Sequence, residues 1–282
     1  MCVYWRTSLA NHYHYIPQPP LSAYVESLWL YEGERPAHAK ERRLPDGTVG
    51  LVFNLHDDLI RICDSRDQET FHSYRGAVLS GPQSGYILLD SASLIATLGV
   101  IFRPGGLLPF LTLPVSDLCN QVLSLETLWG AGVADLRGRL CVSTTPAARF
   151  AILERFLLRR LDHSRTSHPS LACAVAGLRD AARFPTVAAL AEHIGLSQTR
   201  LIQVFREAMG MAPKQYARLA RFQRVLVRLD AGGAVNWADI VFACGYFDQA
   251  HLIHEFQAFA GLTPGQYLAM RSAYRNHVPL PA

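Results

Sequence analysis

One local pattern occurs twice between residues 186 and 268, and it restricts what this part of the chain can fold into. Each copy begins with an apolar periodic segment that ends at a glycine, Gly195 in the first copy and Gly245 in the second. Glycine adopts positive φ without a steric penalty, which allows a tight turn between helices. Ser197 or Asp248 then precedes a second periodic segment, as a helix N-cap does. The pattern predicts two helix-turn-helix units.

The second helix of each unit carries a leucine and a phenylalanine four residues apart, Leu201 with Phe205 and Leu252 with Phe256. Residues with this spacing share one helix face, so we expect both pairs to be buried. The intervening side chains should then point to solvent. They are Gln198, Thr199, Ile202, Gln203 and Arg206 in the first unit, and Gln249, Ala250, Ile253, His254 and Gln257 in the second.

This stretch resembles the DNA-binding domain of the AraC/XylS family of bacterial transcription regulators. The resemblance covers roughly residues 172 to 275, and its most specific part is the second unit. Two chance helical hairpins would not explain the repeated Gly-x-x-Pro or the matched Leu/Phe pairs. The residues that carry the resemblance are Ala243-Cys244-Gly245-Tyr246, Leu252, Phe256 and Gly261-Leu262-Thr263-Pro264-Gly265-Gln266-Tyr267.

The resemblance implies that double-stranded DNA is the partner and that the second helix of each unit enters the major groove. RNA polymerase would be a further partner if the protein is an activator. Glutamine can read adenine through paired amide contacts, and an aliphatic side chain can contact a thymine methyl. The candidate DNA-binding residues are Gln198, Thr199, Ile202, Gln203, Arg206, Gln249, Ala250, His254, Lys214 and Arg221.

This chain departs from the family's pattern, because family members often carry a basic residue where Gln203, His254 and Gln257 stand. We therefore expect modest intrinsic affinity for DNA, with a homodimer or an effector needed for tight binding. The connecting helix that starts at Pro213 supplies further positive charge on one face, at Lys214, Arg218, Arg221, Arg224 and Arg228.

Length and charge agree with a two-domain DNA-binding protein. The chain has 282 residues, and its formal excess of +4 lies entirely from residue 171 onward, beside the two units. Concentrated positive charge suits a phosphate backbone. The N-terminus lacks a basic region followed by an apolar one, and we find no apolar run long enough for a membrane span, so a cytoplasmic protein is expected.

The N-terminal part changes to short apolar or alternating runs separated by turn signals, which are typical of strands. The predicted strands lie at residues 48–54, 76–80, 86–89 and 94–102, a short helix at 24–30, and longer helices within 115–162. The predicted fold is α+β. Residues 1–162 form a β-rich sensor or dimerisation domain with C-terminal helices, 163–170 a linker, and 171–275 an all-α domain with two helix-turn-helix motifs joined by a long helix.

Two turns of this N-terminal part, Leu44-Pro45-Asp46-Gly47 and Arg103-Pro104-Gly105-Gly106, resemble a domain found ahead of some AraC-type DNA-binding domains. A small-molecule effector is therefore expected here. Arg103 could hold an anionic ligand or pair with an acidic neighbour. The candidate effector-binding residues are Arg103, Tyr86, Phe102 and Phe110, which suit a small molecule with one acidic end.

The motifs of other protein classes are missing from the sequence. We find no glycine-rich phosphate loop, Ser-His-Asp order or metal quartet, so we predict no enzyme, no catalytic residue, no metal and no cofactor. His12 and His14 would share a strand face, but without a third ligand a surface or dimer-edge role is favoured.

Two alternatives to a regulator stay open. A DNA-repair enzyme fused to this module would show an N-terminal four-cysteine zinc site, whereas the six cysteines here are scattered. An interaction protein that retains the fold but acts independently of DNA would lack salt-dependent retention on DNA.

Overall fold

A computed structural model describes residues 2–6, 10–36, 38–63, 70–180, 183–233 and 235–280, with the side chains of 2–6 and 10 outside this description. The N-terminal part is built from two antiparallel sheets and three helices, and the C-terminal part is helical. The predicted α+β class is confirmed.

The strands are β1 Cys2–Arg6, β2 Ala10–Tyr15, β3 Val25–Gly33, β4 Lys40–Arg43, β5 Gly50–Asn54, β6 Leu59–Cys63, β7 Phe71–Arg75, β8 Ala77–Ser80, β9 Ile87–Asp90, β10 Ala96–Phe102, β11 Val122–Ser124 and β12 His277–Pro279. The helices are α1 Leu125–Trp129, α2 Gly132–Val142, α3 Pro146–Leu158, α4 Leu171–Arg179, α5 Val187–His193, α6 Gln198–Met209, α7 Pro213–Asp230, α8 Trp237–Cys244, α9 Gln249–Ala260 and α10 Pro264–Met270. Short 3-10 turns occupy Leu21–Ala23, Leu108–Phe110 and Val115–Leu118.

The strands form two sheets that face each other. Sheet A has the order β1-β2-β3-β10-β5-β8-β11, and sheet B has the order β12-β4-β9-β6-β7. Ile60 and Ile62 of sheet B share an apolar cluster with Val78 of sheet A, which places the two sheets in contact at β6 and β8. The other face of sheet A packs on α1–α3 through a separate core that includes Leu51, Phe53 and Phe150.

The four predicted strands are confirmed as β5, β8, β9 and β10. The predicted short helix at 24–30 is wrong, because Val25–Gly33 is strand β3 between β2 and β10. A register shift opposite Glu26 interrupts the ladder with β10, since Phe102 pairs with Val25 but Ile101 pairs with Ser27. A bulge of this kind places two residues three apart on the same face, which imitates helical spacing.

Helices α4–α10 surround one apolar core, and its buried members include two side chains from outside residues 171–275. Leu44, in the turn after β4, and Val278 of β12 are both fully buried in this core. The chain thus returns to the N-terminal part after α10, where β12 pairs antiparallel with β4. The sequence boundary at 275 did not anticipate this returning strand.

Candidate functional site

Helices α6 and α9 are the second helices of the two repeated units, and local contacts fix where each begins. Ser197 Oγ accepts a hydrogen bond from the Arg200 amide at 3.2 Å, and Asp248 Oδ1 accepts one from the His251 amide at 2.7 Å. The turn glycines Gly195 and Gly245 have φ of +73° and +76°. The predicted caps and turns are confirmed, so α6 and α9 each start at a defined angle to the preceding helix, α5 or α8.

The predicted inward and outward faces of both helices are also confirmed. Leu201, Phe205, Leu252 and Phe256 are fully buried. Eight predicted outward residues are exposed, and Ile202 and Ile253 are half-buried. The exposed ones are Gln198, Thr199, Gln203, Arg206, Gln249, Ala250, His254 and Gln257.

A string of side-chain hydrogen bonds runs along the exposed face of α6. Arg200 Nη1 donates to Gln203 Oε1 at 3.0 Å, and Gln203 Nε2 donates to Glu207 Oε1 at 2.8 Å. The amide of Gln203 is therefore held in one orientation. An amide has two N–H groups and two acceptor sites on its oxygen, so one of each stays available for a partner outside the protein.

Three arginines of α7 contact the second unit instead of forming an open basic face. Arg218 Nε and Nη2 donate to Glu255 Oε2 and Oε1 of α9, at 2.8 and 2.7 Å. Arg221 Nη1 donates to the Gly245 carbonyl at 3.1 Å, and Arg224 Nη2 donates to the Cys244 carbonyl at 3.3 Å. These contacts satisfy carbonyls at the end of α8 and attach α9 to α7. Lys214 is exposed.

The four candidate effector residues are not brought together. Arg103 Nε donates to the Ser22 carbonyl at 2.8 Å in an exposed turn. Phe102 and Phe110 are buried with their rings 5.3 Å apart in the core beneath sheet A. Tyr86 lies at the contact with the C-terminal part, with the Arg42 guanidinium over its ring at 5.5 Å. In the described part of the chain none of the four lines the cavity between the sheets.

That cavity has a volume of about 540 Å³, a size typical of sites for small organic molecules. One end is lined by aromatic and ionisable side chains and the other by aliphatic ones. His12 and His14 both line it, so they share a face as predicted, but that face points into the cavity. The polar end is lined by His12, His14, Trp29, Tyr31, His38, Glu41, Arg43, Asp46, Ser272, Tyr274 and His277.

Sequence reasoning missed the cavity and two exposed aromatic residues. Trp29, Tyr31, Glu41 and Tyr274 come from distant parts of the chain, so local pattern gave no sign that they meet. Phe242 on α8 and Phe247 before α9 are 89% and 90% exposed beside the second unit. An aromatic directly before an N-cap aspartate was the available signal for Phe247.

The described residues contain no group of three histidine, cysteine or acidic residues arranged to hold a metal ion. Their helices include none that is long and apolar enough to cross a membrane.

Comparison with known proteins identifies both parts of the chain. Residues 190–270 match a helix-turn-helix domain family, and residues 13–124 match a domain family of unknown function, DUF6597. A candidate AraC-like transcription regulator of Streptomyces lividans is 29% identical over 159 residues. That match covers 52% of this chain and 50% of the relative, so the chain spans about half the relative's length.

Solved structures with similar elements include two bacterial proteins. A DNA-binding transcriptional dual regulator of Escherichia coli K-12 has 23% identity and a TM-score of 0.31, over 34% of this chain and 86% of its own. A ToxT variant of Vibrio cholerae has 11% identity and a TM-score of 0.47, over 95% of this chain and 99% of its own. The helix-turn-helix match, the domain match ahead of it and the Streptomyces relative together make this chain similar to AraC-like transcription regulators.

Proposed function

We propose that this protein is a transcription regulator that binds a specific duplex DNA sequence through α6 and α9. The observation that carries the proposal is the pair of equivalent exposed helix faces, attached to one connecting helix by defined contacts. Arg218 attaches α9 to α7 through Glu255. The caps at Ser197 and Asp248 fix where α6 and α9 begin after the preceding helices, α5 and α8. Rigid presentation of this kind is what reading of base edges requires.

The residues fall into two roles in this proposal. Gln203 and Gln249 contact base edges, together with Gln198, Thr199, Ile202, Ala250 and His254. Arg206 and Lys214, both exposed, contact phosphates. Arg221 already donates to Gly245, so its phosphate contact would have to use another of its N–H groups.

The proposal assigns no catalytic step to the chain. A small-molecule effector would act through the cavity between the sheets, whose lining includes Ser272 and Tyr274 from the segment that follows α10. Contact with RNA polymerase, formation of a homodimer and a cytoplasmic location remain predictions.

The test is binding of fluorescent duplexes to the full chain after selection from random or genomic DNA. The full chain is needed because Leu44 and Val278 belong to the core of the helical part. Binding should weaken steeply as salt rises, because each neutralised phosphate releases counterions. Absence of any selected sequence at low salt, from a protein that unfolds cooperatively, would refute the proposal and favour the DNA-independent alternative.

Point variants separate readers from anchors. Gln203→Ala or Gln249→Ala should relax specificity at one base pair, at a cost of about 1 to 3 kcal/mol on the preferred sequence. Arg206→Ala should weaken binding to all sequences about equally. Gln121→Ala, which changes an exposed glutamine outside the helices proposed to contact DNA, is the matched control. A uniform loss for all variants would mean that the glutamines do not read bases.

A further inference from the structure

The cavity between the sheets changes character from one edge of the sandwich to the other. At one edge, His12 and His14 of β2 and Trp29 and Tyr31 of β3 lie opposite β4 and β12. At the other edge, the lining comes from aliphatic residues of β5, β8 and β11 in sheet A and of β9 and β6 in sheet B. They include Val52, Val78, Val122, Ile60, Ile62, Ile87 and Leu89. A ligand that fills this space therefore needs one polar and one apolar end.

The polar end is rich in aromatic rings. The His12 ring lies 5.0 Å from that of Tyr31 and 5.1 Å from that of Tyr274, and His12 Nε2 is 2.6 Å from the Tyr274 hydroxyl. Trp29 lies across the backbone of Gly99, where a Cβ would stand 2.1 Å from the indole. Glycine at this position thus leaves the room in which the indole lies at the cavity wall.

Three side chains at this end, Arg43, Asp46 and Glu41, are charged at neutral pH, and the first two are paired with each other. Four histidines, His12, His14, His38 and His277, lie at the same end. Arg43 Nη2 donates to Asp46 Oδ2 at 2.6 Å, and Arg43 Nη1 donates to the Leu44 carbonyl. Glu41 is the remaining one. It accepts from His277 Nδ1 at 2.7 Å and lies 3.5 Å from His38 Nε2, and a neutral imidazole can supply such a donor.

The carboxylate that a ligand meets at this end is that of Glu41, because Arg43 is paired with Asp46. Burial alone would raise the pKa of Glu41, but the contacts with His277 and His38 hold it below its ordinary value. Burial lowers the pKa of both His12 and His14, with His14 adding to the effect on His12. With these two imidazoles neutral and Glu41 ionised, an anionic ligand meets a carboxylate, whereas a cation is attracted by it and by the ring faces.

We propose that the cavity binds a small organic amine, with its ammonium group beside Glu41 and the rings of Tyr31 and Tyr274 and its apolar part among the aliphatic residues. The site differs from the acidic-ligand pocket expected around Arg103. As a regulatory site it rests on the proposed function, although binding itself does not.

The test compares three probes that share one skeleton: phenylbutylamine, phenylbutanol and phenylbutyrate. Binding to the full chain is measured by titration calorimetry and by fluorescence, since Trp29 lines the cavity. The amine should bind about tenfold more tightly than the alcohol, which corresponds to one charge-assisted contact, and the carboxylate should bind most weakly.

Variants of the full chain locate the binding. Glu41→Gln keeps the shape and should reduce affinity for the amine about tenfold while leaving the alcohol unchanged. Glu34→Gln makes the same chemical change at an exposed position outside the cavity lining and is the matched control. Val122→Phe fills the apolar end and should weaken all three probes, which keeps the test decisive if Glu41→Gln unfolds.

Several results would overturn the inference: tighter binding of the carboxylate, equal loss of amine and alcohol in Glu41→Gln, or no binding of any probe at millimolar concentration. DNA binding is measured separately on the same preparation without probes. A protein that binds DNA but no amine refutes this inference alone. A protein that binds the amine but no DNA refutes the proposed function alone.

Discussion

Removal of the Arg218 guanidinium should weaken the attachment of α9 to the rest of the helical part. The Glu255 side chain is 8% exposed and receives two hydrogen bonds from Arg218, whose side chain is 39% exposed. Loss of one partner from a fully buried ion pair costs about 3 to 5 kcal/mol. Because water reaches Arg218 and would partly solvate the remaining carboxylate, we expect Arg218→Ala to cost about 1 to 3 kcal/mol.

The assay is urea unfolding of the full chain combined with amide hydrogen exchange of α9. Arg218→Ala should lower the free energy of opening of α9 by the stated amount. Lys214→Ala removes a positive charge from an exposed position of the same helix and should cost less than about 0.5 kcal/mol. A double-mutant cycle with Glu255→Gln isolates the pairwise energy.

The same pair predicts the direction of a pH effect. The hydrogen bond from Arg218 holds the pKa of Glu255 below its ordinary value, against the opposing effect of burial. The unfolded state then takes up a proton at higher pH than the folded state, so this stabilisation is complete above the unfolded pKa of about 4.3. It is lost as pH falls through the folded pKa. Equal cost for Arg218→Ala and Lys214→Ala, or a difference in stability from Glu255→Gln that does not change with pH, would refute the reasoning.

Two further predictions concern the turn before α6 and the two ends of α9. Gly261→Ala should destabilise the chain more than Gly195→Ala, because both have positive φ but a Cβ at Gly261 would lie 2.4 Å from the Tyr86 ring, whereas at Gly195 the described residues leave open space. In thermal unfolding, Gly195→Ala should lower the free energy of unfolding by about 1 to 2 kcal/mol, and Gly261→Ala should lower it by more. A larger loss for Gly195→Ala would contradict the contact with Tyr86. Asp248→Ala removes the cap of the His251 amide and should cost about 1 kcal/mol in the same assay, whereas an unchanged midpoint would mean that water replaces the cap.

The features predicted correctly are those that short stretches of sequence determine. Caps and turn glycines act on residues within four positions, so Ser197, Asp248, Gly195 and Gly245 specify where α6 and α9 begin regardless of distant contacts. The Leu/Phe spacing likewise defines the buried face of each helix. These signals were sufficient to predict the fold of the helical part and the exposed faces of α6 and α9.

The features missed depend on pairing between distant segments. Val25 and Leu28 are three residues apart, a spacing that predicts a helix, but a bulge at Glu26 puts both on one face of strand β3. That irregularity is visible only opposite β10. The cavity was missed for the same reason, since Trp29 and Tyr274 meet only after β12 has paired with β4. The position of Arg103 after an apolar strand predicts a ligand contact, yet its guanidinium donates to the Ser22 carbonyl, a partner 81 residues away in the sequence.

The N-terminal part contacts the two helix-turn-helix units at equivalent positions. Gly210 and Gly261 end α6 and α9, and both adopt left-handed conformations. A Cβ at Gly210 would lie 2.7 Å from the Val115 carbonyl oxygen, and one at Gly261 would meet Tyr86. Gly210 and Gly261 therefore also allow close approach of the N-terminal part to the C-terminal ends of α6 and α9.

These paired contacts define what a ligand in the cavity must do to influence DNA binding. A ligand changes an equilibrium between two arrangements only in proportion to its difference in affinity for them. Residues 272–277 connect the cavity to the helical part: Tyr274 and His277 line the cavity, while Arg275 pairs with Asp230 at the end of α7. Tyr267 of α10 donates to the Arg275 carbonyl at 3.0 Å. We expect a ligand that displaces Tyr274 to alter the contacts that the neighbouring Arg275 makes with α7 and α10.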